Sequence, residues 1–229
     1  MIRNVGYLVG IVLAVGVASF FAFQESRAGE LSFVLIMAVP TVLLALAGLA
    51  RAKYDGVLGE WLSVRAGDFS RGFAATAILF GAAWGFTKTV ATVGSVRERW
   101  LVNLYLQFGD PAVLRAHVGI VVGLIILMAV AEELLWRGLV TSLLSEIVGS
   151  HRAWVWSAVL YALAHLPTAY VLRSPESGWN PVIVLGALAG GLVWGYMARR
   201  FNRLLPGIFS HVLFDWTVIM MFRLWGPSI

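Results

Sequence analysis

Apolar residues fill long stretches of this chain instead of alternating with polar ones. Seven such stretches, at 5–23, 31–50, 72–94, 118–140, 153–172, 181–198 and 204–222, each approach the roughly 20 apolar residues that a helix needs to cross a bilayer. Pro40 predicts a kink in the second, and Lys88 in the third is placed to snorkel to the interface. The segment 97–115 carries Arg97, Glu98, Arg99, Gln107, Asp110 and Pro111 among its aromatics, and reads as an interfacial helix. Seven spans follow, or eight if that segment crosses. The first stretch has no clear small-x-small cleavage site after it and reads as a retained helix, not a signal peptide. The expected fold is all-α, a polytopic transmembrane bundle of seven to eight spans. No repeat or low-complexity linker divides it, so 1–229 is read as one integral membrane domain. Within it, 1–116 supplies the N-terminal spans and interfacial helix, and 117–229 the helices that carry the polar motifs described below. Glycines four residues apart, at Gly6/Gly10, Gly186/Gly190 and Gly191/Gly195, predict close helix packing inside the bundle.

Composition sharpens this picture. Hydrophobic residues make up 60% of the chain and charged residues only 13%, with a mean hydropathy of +0.85. A soluble domain carries about 25% charged residues to cover its surface, so the solvent here is a bilayer. The net charge of +5 is read as the loop bias that orients a membrane protein, not as a nucleic-acid footprint. With seven spans, one side holds nine basic residues (Arg3, Arg51, Lys53, Arg65, Arg71, Arg152, Arg199, Arg200, Arg203) and the other six (Arg27, Arg97, Arg99, Arg115, Arg173, Arg223). The richer side is expected to be cytoplasmic. With no Cys present, disulfides, thiol catalysis and Cys-based zinc sites are all excluded.

Charges inside the spans are the informative exception. Glu132, Glu133 and Arg137 interrupt the fourth span, and Asp215 lies inside the seventh. At roughly 2.5–3.5 kcal/mol each on insertion scales, four such groups sum to about 10–14 kcal/mol, as large as the net stability of a whole fold. Pairing must relieve most of that cost. Glu133 and Arg137 are four residues apart and share a helix face, as do Tyr161 and His165, and His211 and Asp215. Glu132 points about 100° away from Glu133, with no Lys or Arg four residues to either side. A carboxylate so placed suits a general base. Measured from chain ends near 140 and 153, Glu132, His165, His211 and Asp215 lie roughly 12, 18, 11 and 17 Å deep at 1.5 Å per residue, in one layer. Each pair alone has a structural explanation, an ion pair or a packed histidine. Their coincidence at one depth favours a functional site. His117 and His151 read as solvated interface residues.

The three motifs, in this order on separate helices, resemble the CAAX-protease and bacteriocin-processing (CPBP, or Abi) family of intramembrane proteases. Its pattern is EExxxR, then an aromatic-xxxH, then HxxxN or HxxxD. Here these are Glu132-Glu133-x-x-x-Arg137, Tyr161-x-x-x-His165 and His211-x-x-x-Asp215. The likeness covers about half the chain, from His117 onward. Two positions depart from the common pattern: Tyr161 stands where Phe is usual, and Asp215 where Asn is. The resemblance implies an intramembrane glutamic endopeptidase that cuts near the C-terminus of a membrane-anchored or lipid-modified protein. Glu132 would activate water, His165 would hold it, and His211 with Asp215 would face the oxyanion. Glu133, Arg137 and Tyr161 would support them. No cofactor is implied, with zinc held by Glu132, His165 and His211 as the alternative. The expected setting is a monomer in a prokaryotic cytoplasmic membrane, its site nearer the cytoplasmic side and its partners the bilayer and the anchored substrate. A non-catalytic immunity or scaffold protein and a proton-coupled transporter are the other readings open to buried Glu, His and Asp.

Overall fold

A computed structural model describes residues 2–220, and among these the chain is helical, with no strand beyond an isolated bridge between Ser174 and Gly178. The elements run α1 (Ile2–Ala22), α2 (Leu31–Tyr54), α3 (Leu58–Trp61), α4 (Asp68–Thr89), α5 (Glu98–Leu106), α6 (Pro111–Ala116), α7 (Val118–Glu132), a π-helical segment (Glu133–Val140), α8 (Thr141–Val148), α9 (Ser150–Ala164), α10 (Leu166–Val171), α11 (Val182–Phe201) and α12 (Leu205–Ile219). Among the described residues four helices are long and apolar enough to cross a membrane: α1, α2, the continuous rod Val118–Val148 and α11. Further apolar helices complete the bundle expected from the sequence. The last residues of the 204–222 stretch lie outside the described chain.

The faces of α1 show why a bilayer is required. Leu8, Ile11, Val15 and Ser19 point into the bundle, while Val5, Val9, Leu13 and Val17 are between 45% and 60% exposed. A helix that is apolar all round belongs in hydrocarbon. The inward sets of α1, α9, α11 and the π segment build the main core, with Leu135, Trp136, Val140, Tyr161 and Trp194 at its centre.

Polar contacts tie the helix ends at one end of the bundle. Glu146 of α8 accepts from Asn4 at 2.6 Å and from Arg51 at 2.9 Å, and Arg199 donates to the His151 carbonyl at 2.5 Å. Asp68, at the start of α4, accepts from Arg203 in the α11–α12 loop. These contacts bring the N-terminus and the loops near 51–71, 141–152 and 199–203 to the same end, the arrangement implied by an even number of crossings before each. At the other end α5 lies across the 172–180 loop, where Asn180 donates to the Trp100 carbonyl at 2.8 Å and Trp100 to that of Ser177 at 3.2 Å. The segment 97–115 is thus two short helices, α5 and α6, and not a span.

Three sequence expectations change. The helix bearing Glu132 does not end near 140 but continues to Val148, where Gly149 at φ 81° stops it, so depths measured from 140 do not apply. The 153–172 stretch breaks at His165. Pro167 has no N–H for the carbonyl of Leu163, and the chain restarts as α10 with proline in its first turn, where no N–H is needed. Of the glycine pairs, only Gly191/Gly195 packs tightly between helices. A Cβ at Gly191 would lie 2.9 Å from that of Ala158, and one at Gly195 would lie 3.3 Å from the Trp154 carbonyl oxygen. Gly6 and Gly10 have open space beside them.

The Asp68–Arg203 contact gives a pH test. The hydrogen bond from Arg203 holds the Asp68 carboxyl below its ordinary value near 3.8, so its stabilisation is present above that pH and is lost as pH falls through the lower folded value. Asp68→Asn is expected to lower the melting midpoint at pH 7, with the gap to wild type closing below about pH 4. A constant gap across that range would refute the role of the ionised pair.

Candidate active site

His211 is the meeting point. Its imidazole stacks on the Trp194 ring of α11, with centroids 3.8 Å apart and planes 17° off parallel. Nδ1 lies 2.9 Å from Glu133 Oε1 in the π segment. Nε2 lies 3.6 Å from Asp215 Oδ2 and 3.9 Å from Glu132 Oε2. The sequence pairs His211 with Asp215 one turn along α12. In the folded chain Glu133 makes the shorter contact, and the two neighbouring glutamates flank the same ring.

The π segment helps to explain how neighbours about 100° apart on an α-helix can both serve one ring. Its wider turns remove the regular i→i−4 pairing and free acceptors that other groups must satisfy. Trp136 O takes three donors: its helix partner Thr141 N–H, the Thr141 hydroxyl at 2.8 Å and the Ser157 hydroxyl of α9 at 2.7 Å. Such segments concentrate at functional sites.

Glu133 is fully buried and pairs with Arg137, whose Nη1 lies 3.0 Å from Oε1. The contact is off the line of a hydrogen bond, and Glu133 Oε2 and both terminal Arg137 nitrogens have no hydrogen-bond partner. Two aromatic faces compensate the guanidinium, whose carbon lies 4.8 Å from the Tyr161 ring centroid and 5.1 Å from that of Trp194. On the carboxylate side Gly207 leaves room, since a Cβ there would approach Glu133 Oε2 to 3.2 Å.

Tyr161 joins the motifs through both its groups. Its hydroxyl donates to Glu132 Oε2, so Glu132, read from the sequence as lacking a local partner, has one from α9. Its ring meets His165 edge-on at 4.7 Å. His165 caps α9, with Nδ1 2.8 Å from the Tyr161 carbonyl. A carbonyl only accepts, so Nδ1 carries the proton, and in the neutral ring Nε2 is left as an acceptor.

Tyr161, His165, His211 and Asp215 line a cavity of about 420 Å³ whose remaining wall is almost entirely apolar, with Leu79 and Phe86 from α4 and Leu104 from α5. Glu132 and Glu133 stand behind that lining, and the Glu132 side chain retains 13% exposure. Four of the seven motif residues thus line the chamber, and Glu132, Glu133 and Arg137 contact Tyr161 or His211 behind it. Among the described residues no group of three His, Asp or Glu is gathered as a metal-holding cluster.

A family model described as Rce1-like, type II CAAX prenyl endopeptidase, matches residues 114–217. The match spans 104 of the 229 residues. No curated protein and no solved structure matches. The Rce1-like stretch opens just before α7 and closes within α12, and it contains every motif residue named above. The α4 and α5 walls of the chamber lie before it. Trp194 and Gly207 are inside it, although no sequence reading singled them out. A tryptophan within an apolar run carries no mark of the ring it will stack on.

Arg137→Met would leave Glu133 buried and unpaired. The expected loss is about 3–5 kcal/mol in thermal or denaturant unfolding, the usual cost of removing one partner of a buried pair. A change below 1 kcal/mol would mean that the pair does not organise the site.

Proposed function

We propose that this chain is an intramembrane endopeptidase of the CAAX type, which hydrolyses a peptide bond near the C-terminus of a prenylated or otherwise membrane-anchored protein. One observation carries the reading: two histidines, a tyrosine and an aspartate line a chamber whose other walls are mainly apolar, and Glu132 and Glu133 touch that lining through Tyr161 and His211. Polar groups suit hydrolysis, and apolar walls suit a lipid-bearing substrate that arrives from the bilayer.

In this mechanism Glu132 takes a proton from a water molecule, and the hydroxide so formed attacks the scissile carbonyl carbon. His165 Nε2 accepts from that water and orients it. His211 is fixed in angle by Trp194 and through Nδ1 by Glu133. With both ring nitrogens protonated, it donates from Nε2 to the oxyanion of the tetrahedral intermediate, the point at which a preorganised donor contributes most. Collapse breaks the C–N bond, and the proton held by Glu132 passes to the departing amine. The products are a carboxylate and an amine, so protons balance without a cofactor. Asp215 lies on the Nε2 side of His211 and steadies its positive charge.

Purified enzyme on peptides with lipid-modified C-terminal tails, read by mass spectrometry, tests this directly. Glu132→Gln and His165→Ala are each expected to cut turnover by about 10²–10⁴-fold, the range for a positioned acid–base group, with unchanged melting behaviour. Full activity in Glu132→Gln would end the glutamate mechanism. Cleavage that stops on chelation and returns with added zinc would replace it with a metal-dependent one.

Tyr161 supplies a separate expectation. Its hydroxyl occupies a lone pair of Glu132 that a water would otherwise use, so Tyr161→Phe is expected to retain or raise turnover. A loss of tenfold or more would instead make that hydroxyl part of the chemistry.

A further inference from the structure

A second polar cavity lies at the end of the bundle where α4 begins, α11 ends and α12 begins. It has a volume of about 440 Å³ and is lined by Arg65, Arg71, Arg200 and Arg203 with Ala66, Phe201 and Asn202. Four arginines around one small space repel one another unless anions compensate them. The structure provides one, Asp68, and that carboxylate is already saturated. It accepts from Arg203 Nε at 3.1 and 3.2 Å and from Arg203 Nη2, from the Arg65 backbone N–H at 2.8 Å, and from Arg71 Nη1 at 3.4 Å. Among the described residues Arg65 and Arg200 form no ion pair through their side chains. The guanidinium carbons of Arg71, Arg203 and Arg200 stand 4.7, 5.6 and 5.9 Å from the centroid of one ring, that of Phe201. The negative end of α11 explains a basic residue in its own last turn. It does not explain why Arg65 and Arg71, from the start of α4, line the same space.

The position of the cavity narrows the ligand. Three helix ends meet there, which puts the cavity at the level where a bilayer presents its headgroups. Immediately along α4 from it, Phe69 and Phe73 are 57% and 64% exposed and apolar. A ligand with a phosphate anion at one end and hydrocarbon at the other fits both surfaces. Guanidinium groups bind phosphate oxygens in pairs, and basic pockets between membrane helices hold acidic lipid headgroups.

We propose that this corner is a binding site for the headgroup of an anionic phospholipid, with the acyl chains lying along the α4 face that carries Phe69 and Phe73. Arg65 and Arg200 supply the uncompensated charge, while Asp68 and Arg203 hold the frame of the cavity. The assignment is independent of the proteolytic reading, because it concerns binding at the opposite end of α4 from the walls of the chamber.

The test uses the delipidated full-length chain in detergent, titrated with dioleoyl-phosphatidylglycerol or dioleoyl-phosphatidylcholine and followed by native mass spectrometry. Wild type is expected to retain phosphatidylglycerol at least tenfold more tightly than phosphatidylcholine. Arg65→Gln/Arg200→Gln removes two charges and leaves the Asp68–Arg203 pair in place, and is expected to lose about 30-fold of that affinity. Arg27→Gln/Arg173→Gln, remote from the cavity, should lose none. Equal retention of the two lipids by wild type would overturn the proposal even if the double variant failed to fold. So would unchanged phosphatidylglycerol binding in the double variant. Inorganic phosphate that displaces the lipid fully at millimolar concentration would reassign the cavity to a soluble phosphate and overturn the lipid source.

Discussion

A guanidinium inside an apolar bundle must find its own solvent, and the centre of this molecule is organised around that need. Arg137 takes its counter-charge from Glu133, one turn away, and its remaining solvation from the π-faces of Tyr161 and Trp194 on two other helices. Each of those partners is thereby fixed, and each then fixes something else: Glu133 holds His211, Trp194 stacks on it, and Tyr161 reaches Glu132. A buried pair of this kind adds little net stability compared with a well-packed apolar substitute. What it contributes here is one mutual orientation of the π segment, α9, α11 and α12.

The spans, the all-helical class and the ordered polar motifs were legible in the sequence because each rests on local spacing. A run of apolar residues announces a span, and a four-residue interval announces a shared face. Longer connections leave no such mark. Tyr161 and Glu132 are 29 positions apart, and Asp68 and Arg203 are 135 apart, so only the folded chain reveals that each pair is one contact. The end of the Glu132 helix was misplaced for a related reason. Thr141 and Ser145 are polar, yet their hydroxyls turn back onto the carbonyls of Trp136 and Ser142, and the helix runs on to its stop at Gly149. His211 was paired with Asp215 because the two lie one turn apart, whereas its closer partner, Glu133, is 78 positions away.

The chamber divides its labour along the chain. The motif residues come from the stretch matched by the family model, and part of the apolar wall comes from α4 and α5, which precede it. Part of the chamber's shape is thus encoded outside the stretch that carries its motifs. The apolar walls can vary without disturbing the polar centre, because Leu79, Phe86 and Leu104 make no hydrogen bond with it.

The π segment from Glu133 to Val140 also bears on which changes of length the gene can accept. A wide helical turn holds more residues per unit of rise than an α-helix, so the segment contains residues that a regular helix of equal height would not need. Deleting one codon there would remove that surplus and let the rod relax to the α form, with α8 left close to its present phase. Glu133 would then lose the wide turn that brings it to the same ring as Glu132. Substitutions in this stretch are judged by volume and charge, but insertions and deletions are judged by whether the wide turn survives. The segment therefore acts as a fixed-length spacer, and its count of eight residues is as much a part of the site as the side chains it carries.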